Sequence, residues 1–136
     1  MAMPLTRDRN TPTREGKFLV LPVAANIKIF AGSFVAANAT GHATFGAEDA
    51  NLKAAGRAEE FVDNTGGADG DLTVKVRRGV FKWKNSAADP IAAADILSTC
   101  YIEDDETVSK TNNAGARSAA GKIIAVDNDG VWVETL

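Results

Sequence analysis

The sequence predicts a mainly β fold: a small single-domain barrel or sandwich of short strands, with one short helix and an extended N-terminal arm. Three observations predict it. Apolar and polar residues alternate with period two through 72–76, the mark of a half-buried strand. Turn-forming clusters punctuate the chain about every eight to twelve residues, too closely for crossover helices between parallel strands. The 136 residues suit one domain with a single modest core, and no internal repeat or linker divides them. The economical division is an arm, residues 1–16, and a β-rich domain, residues 17–136.

Residues 1–16 are polar and aperiodic, with Pro4, Pro12 and Gly16 and with Arg7, Arg9 and Arg14. They read as an extended arm, disordered alone or ordered against a partner. From Lys17 the chain turns apolar and β-prone: KFLVLPV, then IKIF at 27–30, a turn at 31–33, then FVA. Small and polar residues at 38–51 predict a long loop. The stretch 52–64 carries helix formers, but Gly56 would cost a helix about 1 kcal/mol relative to Ala, so a strand over 54–62 is expected.

NTGGADGD at 64–71 holds three glycines and three Asn or Asp residues in eight positions, the strongest turn signal in the chain. The strand 72–83 follows, with Leu72, Val74 and Val76 on the core face and Thr73, Lys75 and Arg77 on the other. Gly79 breaks the phase as a bulge or bend, and Val80 is expected on the core face again. Asp89-Pro90 predicts a helix start, Asp as N-cap and Pro at the first helical position, with two turns over 91–97. Strands are expected at 100–102 and 107–111, a charged turn at 103–106 and a loop at 112–118. The total is about eight short strands.

Composition narrows the chemistry. Formal net charge is −3, where a nucleic-acid binder is expected to be basic. Cys100 is the sole cysteine, so neither an intrachain disulfide nor a thiolate cluster can form. His42 is the sole histidine, so a Ser-His-Asp triad and most zinc sites would have to use it. Its default reading is a loop histidine; that of Cys100 is a buried, unreactive thiol. The N-terminus lacks the apolar core of a signal peptide, and the longest apolar run, broken by Pro22, is too short to span a bilayer. The expected place of synthesis is the cytoplasm.

The motifs fall short of known chemistry. GARSAAGK at 115–122 has five residues between its glycines where a phosphate loop needs four, and Ile123 follows Lys122 where Ser or Thr should bind magnesium. DNDG at 127–130 opens like a calcium loop, but its glycine comes too early and Val131-Trp132-Val133 follows. The four acids at 103–106 read as a solvated turn. Lys75, Arg77, Arg78, Lys82 and Lys84 with nearby Trp83 could form a nucleic-acid groove. The negative net charge favours instead a wet strand face or contacts to an acidic protein. No catalytic constellation emerges, so the chain reads as non-enzymatic, with no cofactor and no metal.

Three segments in order, VKVRRGVFKW, PIAAADILSTCYIEDDETVSKT and AGKIIAVDNDGVWVE, resemble the head decoration (capsid cement, minor capsid) proteins of tailed bacteriophages. IKIFAGSFV and AAGRAEE fit more loosely, and the resemblance covers about two-thirds of the chain. It implies a β-rich structural protein that binds the capsid exterior as a homotrimer and clamps major capsid subunits, with no membrane and no direct nucleic-acid partner. By the same resemblance Thr6, Arg7, Arg9, Thr11 and Arg14 of the arm are capsid-binding candidates. Another phage component, such as a head fibre or tail protein, is the alternative; a small ligand-binding or enzymatic barrel comes third. Phe81, Trp83, Val131, Trp132 and Val133 are expected as core anchors or subunit-interface residues.

The closing hairpin is expected to use a three-residue loop with Gly130 left-handed, pairing Asp127 with Val131, Val126 with Trp132 and Ala125 with Val133.

Overall fold

The computed structural model describes residues 3–12, 14 and 16–136. Its strands, in chain order, are β1 (Phe18–Pro22), β2 (Lys28–Ile29), β3 (Phe34–Ala37), β4 (Ala43–Phe45), β5 (Lys53–Ala58), β6 (Val62–Asp63), β7 (Thr73–Arg77), β8 (Gly79–Asn85), β9 (Thr99–Ile102), β10 (Thr107–Ser109), β11 (Ala119–Asp127) and β12 (Gly130–Thr135). The chain is mainly β, as its patterning predicts.

The first half folds into a five-stranded sheet in the order β1-β7-β5-β3-β4. The second half closes a barrel in the order β10-β8-β12-β11-β9, sealed where Val108 of β10 pairs with Ile102 of β9. Within the barrel only β8 and β10 run parallel. A small ribbon of β2 and β6 covers part of the first sheet.

Period-two alternation makes two cores out of one sheet. On β3, Phe34 and Ala36 face the barrel and join Trp83, Ile102, Val108, Ile123, Val131 and Val133. Val35, between them, faces the other way, with Val23, Ile29, Val62, Val74 and Val76. Beyond β1, Val23 bridges to Ala43 of β4, and the Ala24 N–H donates to the Ala43 carbonyl at 2.9 Å. The sheet's two edges thus meet at one end.

The 72–83 run is two strands. β7 keeps the expected alternation, with Val74 and Val76 fully buried. At Gly79, φ is +150°, and the chain leaves the sheet to enter the barrel as β8. The phase is reset there, so Val80 is exposed, contrary to expectation, while Trp83 enters the core. Leu72 precedes β7 and is likewise exposed. The expected loop at 38–51 contains β4, and the 54–62 strand ends at Ala58.

The expected helix does not form beyond one 3-10 turn, Ala93–Asp95. Its capping groups are engaged elsewhere. The Asp89 carboxylate accepts from Thr111 N–H and Oγ1 at 2.9 and 2.7 Å. The Asn85 amide takes both the N–H and the carbonyl of Ile91 at 2.8 Å. Leu97 then turns out at φ +75°, donating its N–H to Ile123 of the barrel at 2.7 Å.

The closing hairpin is tighter than expected. Asp127 pairs with Gly130, Val126 with Val131 and Ala125 with Trp132, so the loop is two residues, Asn128 and Asp129. Gly130 lies outside the left-handed region. The register slip occurs instead within β11, between Ile123 and Ala125, which sets Ile123 opposite Val133. Asp127 stabilises the loop by accepting the Asp129 N–H at 3.2 Å.

Candidate interaction surface

The outer face of the first sheet and the adjoining wall of the barrel carry a mixed cationic and aromatic surface. Because inward positions of β1 and β7 are Leu19, Leu21, Val74 and Val76, the outward ones are Phe18, Val20, Lys75 and Arg77. Lys75 Nζ lies 4.5 Å above the Phe18 ring, and the Arg77 guanidinium 5.9 Å from it. Arg57 of β5 pairs opposite Arg77, and its guanidinium stacks 4.5 Å above Phe81 of β8. Further along the barrel, Lys82 Nζ stands 5.7 Å from the Trp132 ring. Each stack places a cation on the electron-rich face of a ring.

Between these residues runs a groove of about 440 Å³, lined among others by Arg57, Arg77, Val80, Phe81, Lys82 and Trp132. Gly79, the crossing point between sheet and barrel, also lines it. Trp83 also contributes to the lining; its indole Nε1 is buried without a hydrogen-bond partner among the described residues. Val20 is 63% exposed, and Phe30 and Phe61 pack together while 58% and 53% exposed. Large apolar side chains left in water make this surface a candidate for contact.

The cations differ in how they are held. Arg57 is paired with Glu59 at 2.8 Å. Lys82 bridges to Asp127 at 3.2 Å and to Asp129. Hydrogen bonding with the Asp129 carboxyl, the Lys82 ammonium and the Trp132 indole holds Asp127 below the usual carboxylate range. Lys75, Arg77 and Arg78 have no ion pair with any described residue.

The residues expected as core or interface anchors separate into two groups. Val131 and Val133 are fully buried and Trp83 nearly so, as core anchors. Phe81 is half-buried, packed on that core from its edge. Trp132 is on the outer face, 38% exposed, its Nε1 donating to Asp127 at 3.2 Å. The aromatic partners of the cations are therefore Phe18, Phe81 and Trp132. Trp83 belongs to the core.

In the arm, Thr6, Arg7, Arg9, Thr11 and Arg14 are all exposed. Arg9 Nη1 donates to Thr11 Oγ1 at 2.8 Å, and among the described residues no backbone hydrogen bond ties the arm to the body.

Two expectations about polar residues change. Glu103 of the acidic turn is not simply solvated: it accepts from Ser86 Oγ at 2.6 Å and lies 3.6 Å from Arg117. Arg117, from the loop that glances at a phosphate motif, is a structural clasp. It is nearly buried and reaches Glu48 at 3.0 Å and Asp89 at 3.2 Å as well. Hydrogen bonds from Thr111, opposed by burial and helped by Arg117, lower the Asp89 pKa. Nothing in the sequence spacing of Glu48, Asp89, Glu103 and Arg117 announces this cluster; only the fold assembles it.

His42 bonds only to its own loop, through Thr40 Oγ1 at 2.8 Å. Cys100 is fully buried, and burial pushes its thiol up to about 12, which makes it inert at neutral pH. Among the described residues no group of three or more His, Cys, Asp or Glu side chains is placed to hold a metal ion. Among the described residues no helix is long and apolar enough to cross a membrane. Compared with known proteins, the chain matches no family model, no curated protein and no solved structure.

Proposed function

We propose that the chain is a structural virion protein that binds the outer surface of a phage capsid, as a homotrimer, and stabilises contacts between major capsid subunits. The observation that carries this reading is the exposed cationic and aromatic face around the β7–β8 groove. An arm with no backbone hydrogen bond to the body, among the described residues, accompanies it. A β-rich body and three ordered segments like those of decoration proteins support the reading further.

The physics suits a clamp. An extended arm adds a strand to a partner's sheet edge, where main-chain hydrogen bonds supply affinity. Copies around a three-fold axis use a heterologous interface that closes on itself. Many weak contacts held on one lattice gain strength by avidity, so no single contact need be tight.

The test is co-sedimentation with heads assembled from the capsid protein of the genome that carries this chain. The full chain should pellet with heads to a saturating ratio, and a chain lacking residues 1–16 should bind at least about tenfold more weakly. Failure of the full chain to bind would overturn the reading. Binding to tails alone would favour the alternative of a tail or fibre component.

A further inference from the structure

We propose that the groove where β7 passes into β8 binds a protein segment that presents carboxylates beside an apolar anchor. This rests on the reading of the surrounding face as a protein-contact surface.

The chain is acidic overall, with formal net charge −3, yet Arg57, Arg77 and Lys82 line this one groove, and Lys75 and Arg78 flank it on the same strand run. Their arrangement, not their number, points to carboxylates. Arg77 has no ion pair among the described residues, whereas its neighbour Arg57, stacked 4.5 Å above Phe81, is already paired with Glu59, so Arg77 is the guanidinium left for a carboxylate. A planar guanidinium matches a carboxylate in two parallel hydrogen bonds.

Apolar recognition comes from Val80, Phe81 and Trp132, all of which line the groove and none of which is fully buried. A volume near 440 Å³ accepts a few side chains. A nucleic-acid strand suits it less well. Glu59, Asp127 and Asp129 sit against the very cations it would use. A phosphodiester chain carries charge at every residue and cannot avoid them, whereas a peptide can place its carboxylates at Arg77 and its apolar side chain between Phe81 and Trp132.

The test is a titration of the full chain with a Gly-Ser peptide carrying a single Glu-Leu-Glu cluster, read by tryptophan fluorescence, for which Trp132 and Trp83, both lining the groove, are the reporters. The same peptide with Lys in place of Glu and a short oligodeoxythymidine are run beside it. The expected result is a saturable change with the acidic peptide below about 1 mM. It should weaken with added salt, be absent with the basic peptide, and be about tenfold weaker in Arg77→Glu. Lys75→Glu, a second surface variant, covers the case in which Arg77→Glu fails to fold. Equal binding by both variants, no saturable response, or tighter binding of the oligonucleotide would overturn the proposal. So would self-association through this face that excludes the peptide. Heads that bind wild-type chain and Arg77→Glu equally would overturn the groove's role and leave the capsid reading standing.

Discussion

Gly130 sits where a Cβ has no room. An added methyl would lie 2.8 Å from the Trp83 carbonyl oxygen and 2.9 Å from the Lys82 side chain. The lysine can move; the carbonyl, fixed in the β8–β12 ladder, cannot. Gly130→Ala should therefore destabilise by about 1–3 kcal/mol, measured as a lower denaturant midpoint. The same substitution looks harmful from the sequence, but for the wrong cause. DNDG announces a turn at the right place, yet whether the extra residue falls in the loop or inside β11 depends on how β11 pairs with both β9 and β12, which no local pattern encodes. At the same scale, Asp105 is held by burial, and then by the charges of Asp104 and Glu106, above the usual carboxylate range. A raised carboxyl pKa means the folded state holds its proton more tightly than the unfolded one, so its contribution favours folding at low pH and is lost as pH rises through the folded value. Asp105→Asn should raise the melting temperature at pH 7, and the gain should shrink as pH falls through the raised folded value and be gone below about 4. A gain independent of pH would show that the charge is not its source.

Gly79 decides the relation between elements. With φ at +150° it lets one apolar run serve two sheets: β7 in the open sheet and β8 in the barrel. Gly79→Ala places a Cβ in a conformation that L residues rarely adopt, while the space around it is open, its nearest neighbour being the Phe81 ring at 3.6 Å. The expected loss is about 1 kcal/mol or more, by urea unfolding, from backbone strain alone. An unchanged midpoint would mean the crossing has slack. The break at Gly79 was legible in the sequence; its consequence was not. Period two can be counted along a strand, but a bend that transfers the chain to another sheet resets which face is inside, and so Val80 is exposed. The helix at 91–97 failed for a related reason. Asp89-Pro90 is a sound local start signal, but Thr111 and Arg117, more than twenty residues away, engage the cap. Most strands, the main turns and the buried thiol were legible because they rest on local pattern and composition, whereas β4 lay hidden in a run of small and polar residues. The Arg117 clasp and the cation–aromatic stacks rest on long-range packing.

For the whole molecule, the sheet and barrel share Phe34 and Ala36 across their seam, so the groove beside it is framed by both halves. The sequence made the cations on 75–84 visible. It named Trp83 as their aromatic neighbour because residue 83 is adjacent in the chain; the fold supplies Phe18, Phe81 and Trp132 instead. The central proposal, attachment to the capsid exterior as a trimer, is tested most directly by a low-resolution reconstruction of heads incubated with the full chain. Three-lobed density on the outer surface, absent from heads without the chain, is the predicted result. A head lattice bare of added density at saturating chain, or density confined to the tail, would contradict it.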